Sequence, residues 1–404
     1  MSSARARDCV IHRLQSPGRA SDEVVRGFGL WNLGFRPFYL LGSVFAATSV
    51  ALWTLQYTGL LPFSYVHAST LHGSEMLFGY ATAIIAGFLL TAVRNWTGQP
   101  TPSGASLASL AVLWLAGRLL VAWPVAAALA TSAFLVALAG AIALPLWRTR
   151  NRRNLVFVGL LLVLAFAVQV PSLSEAGIVA WPGRIGLQVG LDLVMLIMAV
   201  MGGRVIPMFT ANAVPGADPR RTAWVERASL GGIALLLVAD AAQAPALVVG
   251  ALAAALALLH GARLWMWHPW RTRRVPLVWI LHAAYGWIVA HLVLRALSAF
   301  DVVPSVLAVH ALTIGAIGGL TIGMMTRTAR GHTGRPLRAD RVDVACYVLV
   351  MAAAIVRVPG ALLFPGAYVG TVLAAAACWT LAFALYAIAY APSLLRARAD
   401  GKPG

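Results

Sequence analysis

Apolar residues run for about twenty positions at a time along most of this chain. The runs fall at roughly 38–60, 72–93, 105–122, 125–147, 155–171, 183–206, 228–241, 245–266, 276–298, 304–326, 342–360 and 367–391. About 20 apolar residues are what one α-helix needs to cross a bilayer. In hydrocarbon every backbone N–H and C=O must bond internally, so only helices or a closed barrel can span it. Barrel strands alternate apolar and polar residues, and these stretches of Leu, Ala, Val and Gly do not. The pattern predicts an all-α, polytopic membrane protein of about twelve transmembrane helices, forming one domain over 28–395. Residues 1–27 are polar and basic, with no apolar stretch of the kind a signal peptide carries. They read as a disordered cytoplasmic tail, and 396–404 as a cytoplasmic tail.

Composition agrees with the pattern. The chain has 404 residues, 60% hydrophobic and 11% charged, against about 25% charged in soluble proteins. The formal net charge of +18 would suggest nucleic acid in a soluble protein. Here the arginines alternate instead. The turns at 61–71, 172–182, 242–244 and 299–303 have none, whereas Arg94, Arg148–Arg153, Arg220–Arg227, Arg271–Arg274 and Arg327–Arg341 fill the others. Arginine-bearing loops stay inside, which predicts that both termini are cytoplasmic. The net charge is then mostly topological: the lipid bilayer is the partner, anionic-lipid binding is a by-product, and nucleic acid is not needed. Arg118, Arg184, Arg295 and Arg357 depart from the alternation, near the outer ends of their spans. Cys346 and Cys378 sit in apolar runs and read as small apolar fillers.

A weak internal repeat accompanies the spans. A shift of 236 residues superposes Gly79 on Gly315, Gly87 on Gly323, Arg94 on Arg330, Thr97 on Thr333, Gly98 on Gly334 and Pro100 on Pro336. Gly202-Gly203-Arg204 closes the sixth span, about halfway between. The spacing suggests three four-helix units about a pseudo-threefold axis, with the second, sixth and tenth spans equivalent.

Ionisable groups inside hydrocarbon are costly and are therefore functional candidates. On the second span His72, Glu75, Met76 and Gly79 share one helical face. A glycine on the face of a histidine leaves a gap that a planar macrocycle can fill, with imidazole as axial ligand; equally, the glycine can admit a neighbouring helix. On the tenth span His310 shares a face with Thr313, Thr321 and Met324, opposite a Gly315/Gly319/Gly323 stripe suited to packing. His72 and His310 lie at similar depth, so together they form a candidate pair of iron ligands. His282 and His291, nine residues apart, face opposite ways. Each reads as a second ligand, an anion contact or a satisfied core group. Asp192 needs a partner from another helix or a proton of its own. His67, His260, His268 and His332 read as interfacial or loop residues, and Trp31–Phe38 as an interfacial lead-in.

Taken together, Trp31-Asn-Leu-Gly-Phe-Arg-Pro-Phe38, Glu75-Met-Leu-Phe-Gly79, Gly87–Gly98, Gly202-Gly-Arg-Val-Ile-Pro-Met-Phe-Thr210, His310-Ala-Leu-Thr313 and Met325–Pro336 resemble the NnrS family. The resemblance implies a bacterial inner-membrane protein containing haem, of the b type, and copper. It also implies a link to denitrification and the nitric oxide response to nitrosative stress, with nitric oxide as a ligand. The family has His-x-His before Glu-Met-Leu-Phe-Gly; this chain has His72-Gly-Ser74. Copper binding therefore does not carry over directly: either His67 substitutes or the site is haem only. The architecture is similar by analogy to the catalytic subunit of haem-copper oxidases, although the sixth and seventh spans contain no histidine. A proton- or ion-coupled transporter and an assembly factor for another membrane enzyme are the alternative functions.

Overall fold

A computed structural model describes residues 27–61 and 68–401. Most of the disordered tail expected at 1–27, and His67, lie outside the described residues. Among the described residues twelve long helices follow one another: α1 (Phe35–Tyr57), α2 (Thr70–Thr97), α3 (Ala105–Leu119), α4 (Pro124–Arg148), α5 (Arg152–Glu175), α6 (Gly183–Ala213), α7 (Ala223–Ala241), α8 (Ala246–Met266), α9 (Pro276–Ala299), α10 (Ser305–His332), α11 (Arg341–Leu363) and α12 (Pro365–Leu395). No strand is formed among the described residues; one isolated bridge joins Phe28 to Arg396.

Ten of these helices are long and apolar enough to cross a membrane. The other two expected spans differ for visible reasons. Helix α3 has 15 residues, short of the roughly 20 a crossing takes. Helix α7 has 19 but carries Glu226, Arg227 and Asp240. Large apolar side chains stand on the outward faces, with Leu258 78% and Ile388 74% exposed. Water would not tolerate such a belt, and lipid does. The chain is a multi-pass membrane protein.

The helices are not equally enclosed. Their most apolar stretches are 83% buried in α2, 61% in α6 and 67% in α10, against 33–56% in the other seven. These three form the interior. Around them the contacts repeat every four helices: α5 packs on α4, α9 on α8, and α1 on α12. The glycine stripe of α10 serves close packing. A Cβ on Gly315 would strike Trp287, one on Gly319 Ala284, and one on Gly323 Ile280 and Leu281, all on α9.

The closure of α1 on α12 explains the Trp31–Phe38 motif, and corrects its reading as an interfacial lead-in. Phe35, Arg36 and Phe38 are fully buried. Arg36 Nη1 donates to the carbonyls of Ser393 (3.3 Å), Leu394 (3.2 Å) and Arg396 (2.6 Å). A helix C-terminus leaves its last carbonyls unbonded and partly negative; Arg36 supplies both donor and charge. The segment after α12 also docks: Gly29 N donates to Leu395 O, Ala397 N to Gly27 O and Ala399 N to Thr333 O.

Candidate functional site

Helix α2 begins as an ordinary α-helix and opens into π-helical turns over Glu75–Ala81. Each π turn shifts the hydrogen-bond ladder and frees backbone groups, a distortion concentrated at functional sites. The Gly79 carbonyl is held from outside the helix by Trp114 Nε1 (3.0 Å), and Thr82 Oγ1 donates to Phe78 O (2.6 Å). Helix α10 carries a second π stretch, Ala311–Gly318. The two stretches begin at positions related by the same 236-residue shift that relates the glycines. Thr321 donates its hydroxyl hydrogen to Ile317 O (2.7 Å), so Tyr80 donates to Thr321 Oγ1 (2.5 Å) and ties α2 to α10.

His72 and His310 lie just before these π stretches, at the arginine-poor end of the bundle. The two half-buried rings are near enough to act on each other electrostatically, and Arg357 of α11 acts on both. His310 Nδ1 donates to Val306 O (2.7 Å), which leaves Nε2 with the lone pair. His72 stacks on Trp53, with centroids 4.5 Å apart, and its buried Nδ1 has no partner. Arg357 is 5% exposed. Its Nη2 donates to Tyr368 Oη (2.8 Å), while its buried Nη1 bonds nothing and no carboxylate pairs with it among the described residues. A third π stretch, Val356–Gly360, surrounds it.

The rest of the α2 face turns elsewhere. Glu75 pairs with Arg118 Nε at 3.2 Å. The flat gap expected beside Gly79 is filled by the Arg118 guanidinium and Phe45. Glu75, Ser74, Arg118 and Thr131 line a cavity of ≈ 70 Å³ between α2, α3, α4 and α5. Met76 packs against the core. A second, wholly apolar cavity of ≈ 80 Å³ lies between α2, α6 and α10, walled by Phe88, Met201 and Met324 among others.

His282 and His291 do face different neighbours. His282 Nε2 donates to Thr210 Oγ1 (2.8 Å), whose own hydrogen goes to Ile206 O. Its Nδ1 is a buried acceptor without a partner. His291 Nδ1 donates to Ala308 O (2.8 Å), two residues from His310, and its buried Nε2 is unpartnered. His260 corrects the interfacial reading: it is fully buried, 2.6 Å from Tyr285 Oη. It belongs to a cluster in which Arg263 donates to Glu226 (2.8 and 2.7 Å), Tyr285 Oη (2.7 Å) and Ala199 O (2.9 Å). His332 packs against Phe35.

Three of the four arginines that broke the charge alternation are thus buried groups with partners from other helices or segments. Arg118 meets Glu75, Arg357 meets Tyr368, and Arg295 joins Asp192 (2.9 Å) to Asp240. Their displacement from the arginine-rich loops was the signal in the sequence. Nothing in it named their partners.

The NnrS protein family model matches residues 29–398, nearly the whole chain. The chain belongs to the NnrS family. No curated protein matches it. The NnrS match spans all twelve helices, including the docked Arg36 motif, both π stretches and the Gly334 turn, where φ is +76° and Asp400 leaves no room for a Cβ. Among the described residues of this NnrS chain, no three His, Cys, Asp or Glu side chains gather to hold a metal ion. A haem iron asks less, since two axial ligands suffice.

Proposed function

We propose that this NnrS protein is a haem-binding component of the nitric oxide response in a bacterial inner membrane. In this reading all twelve helices cross, and both termini are cytoplasmic. The four-helix repeat of contacts supports a pseudo-threefold arrangement with α2, α6 and α10 inside. One observation carries the cofactor reading: His72 and His310, from two helices distorted at repeat-related positions, share one electrostatic neighbourhood with an arginine that has no carboxylate.

Each residue has a role that its surroundings support. The His310 Nδ1–Val306 bond fixes the tautomer and aims the Nε2 lone pair away from its own helix. Trp53 holds the His72 plane. Arg357 can take an acidic side group, as a haem propionate would offer, because a buried guanidinium without an anion is costly. A haem bound there would supply an iron centre for nitric oxide or an iron-nitrosyl species. The donor set for copper is weaker: Ser74 lines the polar cavity beside Glu75 and Arg118, with no histidine among that cavity's lining residues. Copper, and a direct link to denitrification, rest on the family resemblance.

The test is an optical spectrum and haem analysis of protein purified from a haem-sufficient host. A haem band retained in His268→Ala and lost in His72→Ala and His310→Ala is the expected result. Wild-type protein without haem overturns the reading. A proton-coupled transporter is the second reading, favoured by the buried acids described next. Proton-linked flux in liposomes that survives loss of haem would select it.

A further inference from the structure

Asp192, on α6, is completely buried. Its Oδ1 accepts from Arg295 Nη1 (2.9 Å) and from Gln188 Nε2 (3.1 Å). Arg295 Nη2 bonds Asp240 on α7, so one guanidinium bridges two carboxyl groups. Both partners of Asp192 are themselves enclosed, the Arg295 and Asp240 side chains being 10% exposed. The carboxyl groups of Asp192 and Asp240 are thereby held side by side, on the Nη1 and Nη2 atoms of one guanidinium.

That contact has a chemical requirement. An ionised carboxylate only accepts hydrogen bonds. Two carboxylates held this close repel unless one of them takes up a proton, as in a carboxyl dyad. The buried Asp192 Oδ2 has no donor facing it, which a shared proton would provide. Charge balance gives the same answer. Two carboxylates against one guanidinium leave a net negative charge in apolar surroundings, a costly arrangement. A single proton makes the cluster neutral.

The other ionisable groups nearby do not supply that charge. His291 is one turn from Arg295 on α9, donates Nδ1 to Ala308 O and leaves Nε2 as a lone-pair acceptor. On α8, which packs against α7 and α9, Arg263 is already engaged by Glu226 and His260 by Tyr285. On α2 Glu75 is held by Arg118.

We propose that Asp192 and Asp240 share one exchangeable proton, making this cluster a proton-holding site inside the membrane domain. Only an O–H bond forms or breaks: the proton arrives from water at one carboxylate and leaves to water. The site does not depend on the cofactor reading, and it would serve proton-consuming chemistry or proton-coupled transport alike.

Infrared spectroscopy of the full chain in lipid nanodiscs tests this directly. A protonated-carboxyl C=O stretch is expected at neutral pH, shifting in heavy water. It should vanish in both Asp192→Asn and Asp240→Asn and persist in Asp218→Asn, a surface control. Asparagine preserves an oxygen acceptor for Arg295. Should either variant fail to fold, the wild-type spectrum decides by itself: a carboxyl band that titrates as one proton per chain supports the proposal. Absence of any such band at neutral pH overturns it, as does full retention of the band in both variants.

Discussion

A Cβ placed on Gly79 would fall on the Nη1 atom of Arg118. The glycine therefore holds open the position from which this arginine reaches Glu75 at 3.2 Å. Gly79→Ala should push the guanidinium away and leave a buried carboxylate without its counter-charge. Breaking a buried pair in this way costs about 3–5 kcal/mol. Thermal unfolding in detergent should show a large loss for Gly79→Ala. Gly140→Ala is the control, because a Cβ there meets nothing within 4 Å; it should be neutral or gain up to about 1 kcal/mol. Equal behaviour of the two variants would refute the role given to Arg118.

Arg36 poses a different question, since lysine would keep its charge. Its donors meet three carbonyls at the end of α12. Lysine offers a point charge without the planar fork. Arg36→Lys should lose roughly 1.5–3 kcal/mol, the contribution of a charged hydrogen bond. The local signature is faster hydrogen exchange at Gly29 and Ala397, whose N–H groups close the α1–α12 seam. Unchanged exchange there would mean that the seam holds without the arginine.

Asp340 gives a prediction in pH. It caps α11, accepting from Val342 N (2.9 Å) and Asp343 N (3.0 Å), with Asp343 reciprocating in a capping box. Partial burial pushes its pKa up, but the Asp343 N–H and the Arg330 charge outweigh that and hold the carboxyl below its ordinary value. A depressed folded-state pKa means stability that is present above the unfolded value of about 3.9 and lost as pH falls through the folded one. Asp340→Ala should cost about 1 kcal/mol at neutral pH. The gap between variant and wild-type melting temperatures should close below about pH 4. The Arg330 pairing adds little, because the Asp340 side chain is 59% exposed.

Arg357 is the residue whose loss separates ligand binding from folding. Arg357→Gln keeps a donor for Tyr368 Oη but removes the unpaired charge beside His72 and His310. If that charge holds an acidic group of the cofactor, haem affinity should fall roughly tenfold to a hundredfold, one charged hydrogen bond at about 1.5–3 kcal/mol. Arg357→Lys should recover part of it. The measurement is haem occupancy per chain, with melting of the haem-free protein as the structural reference. Intact occupancy in Arg357→Gln would remove the arginine from the site.

The helices were legible because lipid imposes one simple rule on the chain, long apolar runs, and ten of them meet it. The candidate histidines were legible for the converse reason, that a polar residue within such a run is expensive. What periodicity could not convey was the distortion: at Glu75–Ala81 and Ala311–Gly318 the helix leaves the regular period on which face assignments rest. Gly79 accordingly meets Arg118 instead of bordering a gap. Partners far apart in sequence were equally hidden. Asp192 meets Arg295 from 103 residues away, and no local spacing encodes that. His260 looked interfacial because it lies near a helix end, yet the Arg263–Tyr285 cluster buries it.

The seam between α1 and α12 bears on biosynthesis. Arg36 and the carbonyl it grips most closely are 360 residues apart, which at ribosomal speeds of about 5–20 residues per second is a delay on the order of tens of seconds. Through that interval the first helix sits in the bilayer with a guanidinium whose acceptors have not been made. Either the translocon or a membrane chaperone shelters that helix, or its basic end waits among lipid headgroups until the last helix arrives. Closure of this seam is therefore a late step of biosynthesis, which waits for α12 to reach the membrane.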